Sequence, residues 1–220
     1  MACCAILVAA GSSRRMGFDK LAAPLAGQAV LRRTLEAFLA SDAIDSVVVV
    51  APQERYDALL SGTHAKPVIR VDGGQNRQDS VRNGLAAVPA HCELVAVHDG
   101  ARPLVSPGDI ARCVAAAREH GAAALARPVT ETLKRSDAEG FARESVDREL
   151  LWFMETPQIF HKSLLQQACT AVVEGGLVTT DEVSALQAIG HPVKFVASAT
   201  PNPKITHPSD LALAEALLHA

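Results

Sequence analysis

Three cations crowd a small-residue loop near the start of the chain. Arg14, Arg15 and Lys20 all fall within residues 9–20, which read Ala-Ala-Gly-Ser-Ser-Arg-Arg-Met-Gly-Phe-Asp-Lys. A loop of small residues around Gly11 lets backbone N–H groups approach phosphate oxygens without a Cβ in the way. The three side chains add fixed positive charge, which suits a triphosphate and the extra charge of a phosphoryl-type transition state. Two commoner phosphate loops are excluded by spacing. A dinucleotide fingerprint requires glycine where Ser13 and Met16 stand, and a Walker loop requires a Gly-Lys-Ser/Thr ending.

Three further loops carry chemistry. His98-Asp99-Gly100-Ala101-Arg102-Pro103 follows an apolar run, which places Asp99 to bind magnesium or accept a substrate hydroxyl, and Arg102 to grip a phosphate in two-pronged fashion. His98 reads as structural. Residues 73–80, Gly-Gly-Gln-Asn-Arg-Gln-Asp-Ser, open a helix and can read a base edge through backbone and hydroxyl groups. In residues 202–211 two prolines stiffen the approach to Lys204, a further phosphate contact, and Ser209 or Asp210 can cap the helix that follows. No Ser–His–Asp or Cys–His set emerges. Transfer to an already ionised phosphate needs none, because positioning and charge neutralisation carry that chemistry.

The elements that must hold these loops alternate along the chain. Apolar, β-branched runs at 5–8, 47–50, 68–71, 94–97 and 123–127 predict strands. Amphipathic stretches at 30–39, around 80–88 and at 107–119 predict helices, the first with Leu31, Leu35, Phe38 and Leu39 turned inward. The pattern resumes at 184–189 and 193–196 and ends in a helix from about Ser209. This is the signature of a mostly parallel, twisted sheet flanked by helices, and in such an α/β sheet ligands bind beyond the carboxyl ends of the strands. Residues 130–152 break the pattern. They are polar, turn at Asp137-Ala138-Glu139-Gly140, and have extended flanks at 131–135 and 141–146, which predicts a β-hairpin arm, with a plain surface loop as the alternative. The whole reads as one domain over 1–220 with the arm inserted, long enough to cross a two-fold axis in a dimer.

Composition removes other classes. The 49% hydrophobic content supplies a core, while 4% aromatic content and a net charge of −3 leave no base-stacking platform or basic run for nucleic acid. No apolar run reaches the roughly 18 residues of a membrane span, and the N-terminus lacks the basic start of a signal peptide, so a cytoplasmic protein is expected. The five cysteines form no C-x-x-C pair and read as small buried residues, and the eight histidines show no ligand spacing.

Taken in order, the motifs resemble the 2-C-methyl-D-erythritol 4-phosphate cytidylyltransferases of the non-mevalonate isoprenoid pathway. The similarity runs through Gly11 to Lys20, Gly73-Gly74 to Ser80, His98 to Pro103, Thr132-Leu133-Lys134-Arg135, Val146-Asp147-Arg148, Thr156-Pro157-Gln158, Thr180-Asp181-Glu182 and Lys204-Ile205-Thr206. The resemblance implies a Rossmann-like nucleotidyltransferase fold and a homodimer joined through the arm. It implies attack by the 4-phosphate of methylerythritol phosphate on the α-phosphorus of CTP, with Mg²⁺ as cofactor. By position, Arg15, Lys20 and Lys204 would be catalytic. Ala9, Ala10, Gly11, Ser13 and Arg14 would hold the triphosphate, and Gly74 and Ser80 would read cytosine. Asp99, Arg102, Thr132 and Arg148 would bind the acceptor, the last two from the partner subunit. Ser13, Asp19 and Asn76 depart from the family's usual glycine, proline and acid. Ribitol-5-phosphate cytidylyltransferases and molybdenum-cofactor nucleotidyltransferases share the first loop and are the alternatives.

Overall fold

A strand without a single polar side chain has to be covered on both faces, and the N-terminal one is. In the computed structural model, which describes residues 1–11 and 16–219, strand β1 (Ala2–Val8) buries residues 3–7 completely. Its period of two sends Cys3, Ala5 and Leu7 into one core layer and Cys4 and Ile6 into the other. It pairs in parallel with β4 (Ser46–Val50) and β6 (Cys92–Asp99). A short hairpin of β2 (Pro24–Leu25) and β3 (Gln28–Ala29) separates β1 from the first helix.

The seven-stranded sheet runs β11-β7-β10-β6-β1-β4-β5, with β5 (Val68–Val71) and β11 (Lys194–Ala197) at its edges. Of these seven, only β10 (Trp152–His161) is antiparallel, lying between β6 and β7 (Ala122–Pro128). Helices α1 (Val30–Leu39), α2 (Gln53–Leu60), α4 (Pro107–His120) and α7 (Pro208–Leu218) cover one face. The other face is covered by α3 (Arg77–Ala86), α5 (Lys162–Glu174) and α6 (Glu182–Ala188). This is the expected mostly parallel α/β sheet, with α1 at its predicted bounds and Leu31, Leu35 and Phe38 buried.

Local chemistry sets several boundaries. Asn76 caps α3 by accepting the Asp79 N–H, and Ser106 caps α4 by accepting the Asp109 N–H. Helix α4 stops at Gly121, whose φ of 82° suits a residue without a side chain. At α7 the cap works from inside the helix. Asp210 accepts the backbone N–H groups of Thr206 and His207, and Ser209 takes no such part.

Strand β6 continues through His98 and Asp99, two residues past its predicted end. The inserted arm is a two-stranded antiparallel ribbon of β8 (Leu133–Ser136) and β9 (Ala142–Val146), separate from the main sheet. Trp152 belongs to β10 rather than to the arm. Phe141 N–H donates to Asp137 Oδ1 across the turn, and an Arg135–Glu144 ion pair crosses the ribbon. Almost every arm residue is exposed, so the ribbon buries little against its own chain. Cys3, Cys4, Cys92 and Cys113 are buried thiols, and Cys169 is half-buried. Among the described residues, no helix is long and apolar enough to cross a membrane.

Candidate active site

The carboxyl ends of β1, β5 and β6 open into one cleft, where the loops after those strands meet the loop before α7. A chamber of about 540 Å³ is bounded by Ala9, Ala10 and Gly11 from the first loop, Gly74 and Ser80 from the second, and Lys20. A second chamber of about 300 Å³ is bounded by Arg102, Thr156, Gln158 and Asp181. Arg77, Asp99 and Lys204 border both, so the chambers join at a wall of two cations and one carboxylate.

Each wall residue is fixed by another. Lys204 Nζ lies 2.8 Å from Asp99 Oδ2, and Arg77 Nε lies 3.3 Å from Asp99 Oδ1. Arg77 also donates both terminal nitrogens to Glu182, at 2.7 and 3.0 Å. Burial alone would raise the pKa of Asp99. Lys204, Arg77 and Arg102 outweigh it and hold the carboxyl well below the usual carboxylate range. Burial would likewise weaken Arg77 as a base, but Glu182 and Asp99 more than compensate, so it stays charged. Lys20 Nζ donates to the Ile205 carbonyl at 2.8 Å, which brings the first and fourth loops together.

Arg102 is anchored by backbone. Its terminal nitrogens donate to the carbonyls of Asn202 at 2.8 Å and Met154 at 3.2 Å, and its buried Nε faces Asp99 Oδ2 at 3.7 Å, so only the second hydrogens of the two terminal nitrogens remain for an anion. Asn202 is itself buried, accepting from the Leu104 N–H and donating to the Thr156 carbonyl, and so fixes the approach to Lys204. His98 is fully buried, between Thr156 Oγ1 at Nδ1 and the Arg102 carbonyl at Nε2. Burial pushes its pKa down to about 4, against the opposing pull of that carbonyl and of Asp99, so it is a neutral strut near pH 7.

The second loop is locked by close approach. A Cβ on Gly73 would stand 2.3 Å from Ala10 Cβ, and one on Gly74 would stand 2.2 Å from Asp79 Cβ. Ser80 accepts the Gly74 N–H at 3.1 Å and donates to the Asn76 carbonyl at 2.9 Å, so its hydroxyl shapes the loop that it lines. Thr132 and Arg148 lie on the exposed arm. Neither borders the two chambers, and Arg148 donates to the Thr130 carbonyl. Ser13, Arg14 and Arg15 lie outside the described residues.

A magnesium ion finds poor accommodation in the protein itself. Both oxygens of Asp99 already face cations, and no group of three His, Cys, Asp or Glu side chains among the described residues converges on a metal position. That donor chemistry fits an anionic ligand rather than a resident divalent ion.

Residues 3–220 match the family described as IspD, 2-C-methyl-D-erythritol 4-phosphate cytidylyltransferase. The chain belongs to that family. It is 43% identical to the 2-C-methyl-D-erythritol 4-phosphate cytidylyltransferase of Pelotomaculum thermopropionicum, over 98% of this chain and 94% of that protein. It is 47% identical to the bifunctional IspD/IspF enzyme of Desulforudis audaxviator over 97% of this chain, spanning 56% of that longer protein. The crystal structure of the Thermus thermophilus 2-C-methyl-D-erythritol 4-phosphate cytidylyltransferase superimposes with a TM-score of 0.81 at 36% identity, covering 98% of each chain.

Three side chains of this cytidylyltransferase family member were not singled out from sequence. Arg77 and Glu182 are 105 residues apart and pair only in the fold. Arg77 lies within the second loop, and Glu182 within the Thr180-Asp181-Glu182 motif, where an acid at a helix start reads as an ordinary first-turn residue. The third, Arg55 on α2, gives no local signal at all.

Proposed function

We propose that the joined chambers transfer the cytidylyl group of CTP to the phosphate of 2-C-methyl-D-erythritol 4-phosphate. An acceptor phosphate oxygen forms a bond to the α-phosphorus, the bond from that phosphorus to the bridging oxygen breaks, and pyrophosphate leaves with the electron pair. The observation that carries this reading is the shared wall of Arg77, Asp99 and Lys204, where the two chambers meet. Two anions lodged one in each chamber would have their reacting groups brought together against fixed cations.

In the nucleotide chamber, Ala9, Ala10 and Gly11 offer backbone to the triphosphate, with Ser13 and Arg14 continuing the same loop, and Gly74 and Ser80 face the cytosine. Lys20, Arg15 and Lys204 stabilise the charge that develops on the α-phosphoryl group. Asp99 accepts an acceptor hydroxyl while keeping Lys204 and Arg77 in place, and Arg102 binds the acceptor phosphate. Thr132 and Arg148 complete the site from the arm of a second copy. Magnesium would enter with CTP and offset the charge of the triphosphate, rather than being held by Asp99. No general base is required because the attacking phosphate is already ionised. The working unit is a cytoplasmic homodimer that engages neither nucleic acid nor membrane.

The test is pyrophosphate release with CTP, Mg²⁺ and a panel of acceptors including ribitol 5-phosphate and a molybdopterin. Release with methylerythritol phosphate far above the other acceptors is the expected result. A preference for ribitol 5-phosphate would replace the acceptor in this reading.

A further inference from the structure

Arg55 sits on α2, outside both chambers, with its side chain only 13% exposed. Its Nη1 donates to the carbonyl of Ala9 at 2.5 Å and its Nε donates to Asp19 Oδ2 at 2.9 Å. These two acceptors stand at the ends of the cationic loop. Ala9 is the first residue after β1 and is itself tied to the sheet, its N–H donating to the Val50 carbonyl at 2.8 Å. Asp19 immediately precedes Lys20, and its other oxygen accepts the Leu21 N–H at 3.1 Å. One guanidinium therefore bridges the root of the loop and the turn that presents Lys20. Holding the two ends of that loop together removes conformations that would carry Lys20 away from the cleft.

We infer that Arg55 is a positioning residue for the transfer, acting through Asp19 and the Ala9 carbonyl to fix Lys20. The inference rests on Lys20 acting on the triphosphate as proposed above. Arginine is required because its planar fork reaches a carbonyl and a carboxylate at once, whereas a lysine ammonium on a single stem meets one of them. Asp19 is part-exposed, and an ion pair of that kind contributes little to global stability, so loss of Arg55 should register in catalysis before it registers in melting.

The experiment is a kinetic cycle on the full chain with Arg55→Ala, Lys20→Ala and the double variant, each with its melting temperature. Arg55→Ala should lower kcat by about ten- to a hundredfold, the range expected when a reacting group is misplaced by about an ångström. It should also raise the KM for CTP, while the KM for methylerythritol phosphate and the melting temperature stay close to wild type. In the Lys20→Ala background the same substitution should cost less than about threefold in kcat, because the group it positions is already gone. Arg55→Lys should recover only part of the loss. Asp19→Asn removes the anchor from the other side and should move kcat in the same direction, which keeps the idea testable if Arg55→Ala does not fold. Unchanged kcat in Arg55→Ala, or a full multiplicative loss in the double variant, would overturn the inference while leaving the transfer reaction standing. Failure of the wild-type enzyme to turn over would instead sink the functional reading. Arg55 would then be judged by calorimetry with CTP, where wild-type affinity in Arg55→Ala overturns its role.

Discussion

Lys20 and His98 show how two charged-type residues close to one cleft take opposite parts. Lys20 reaches the Ile205 carbonyl at the cleft wall and faces the space where a triphosphate would lie. Removing one preorganised donor of this kind costs about 10²–10³ in rate, or roughly 3–4 kcal/mol. Lys20→Ala and Arg15→Ala are each expected to lower kcat by that factor while CTP binding weakens far less. Near-normal turnover at saturating substrates in either variant would remove it from the catalytic set. His98 touches neither chamber's contents and serves as a buried strut between Thr156 and Arg102. Its signature is therefore in stability against pH. Burial holds its pKa at about 4 in the fold, against about 6.5 in the unfolded chain, so between those values only the unfolded state binds the proton. Its contribution is fully present above pH 6.5 and is lost as pH falls towards 4, by up to about 3 kcal/mol. Denaturant melts of wild type and His98→Gln across that window should diverge, with the steeper fall in wild type. Parallel curves would mean that His98 titrates normally in the fold.

At the scale of elements, the two nucleotide loops are held by close approach of the second loop's backbone to the Ala10 side chain of the first, and glycine is what permits it. Gly73 packs against Ala10 so closely that Gly73→Ala would set two Cβ atoms 2.3 Å apart. Overpacking of that kind costs about 1–3 kcal/mol, read here as a CTP KM raised by about tenfold or more. The clash is between two methyl groups, so Ala10→Gly in the same chain should restore much of the loss. The remaining neighbours of the new Cβ would be Ser80 Oγ at 3.3 Å and the Ala10 Cα at 3.8 Å. Absence of any rescue would place the damage elsewhere in the loop. The same elements show what a sequence can disclose. Helix α1 was legible because Leu31, Leu35 and Phe38 recur at helical spacing and are buried together. Lys20, Gly74, Ser80, Asp99, Arg102 and Lys204 were legible as neighbours because each follows or closely approaches a strand end, and α/β sheets gather such loops. Helix α2 was not legible. Its sequence is Gln-Glu-Arg-Tyr-Asp-Ala-Leu-Leu and it buries only Leu60 fully, so no apolar stripe announces the helix that carries Arg55. Strand β10 was hidden for a different reason. Pro157 and the polar pair Glu155 and Gln158 argue against a central strand, and the fold accommodates them with a register shift between Met154 and Gln158.

At the scale of the molecule, the arm buries little against its own domain. Its ribbon is exposed, forms a sheet apart from the main one, and carries Thr132 and Arg148 away from both chambers. Phe141 at its turn is 66% exposed and Leu150 at its base is 86% exposed, apolar surface that a second copy would cover. A two-fold dimer makes such an arm useful, because whatever one copy lends to its neighbour it receives in return. If Arg148 completes the neighbour's acceptor chamber, Lys20 and Arg148 of any one site come from different chains. Lys20→Ala and Arg148→Ala, each inactive alone, should then complement one another after subunit exchange. In a mixed dimer one site takes Lys20 from the Arg148→Ala chain and Arg148 from the Lys20→Ala chain, and the other site carries both defects. Random exchange of equal amounts puts half of the dimers in the mixed form with one intact site each, so about a quarter of wild-type activity should return. Light scattering and a tagged-subunit pull-down would establish that exchange has occurred. Recovery near a quarter would assign Arg148 to the opposite chain's site. No recovery after verified exchange would place Lys20 and Arg148 in the same chain's site, and the arm would then have to fold back over the chambers it leaves open here.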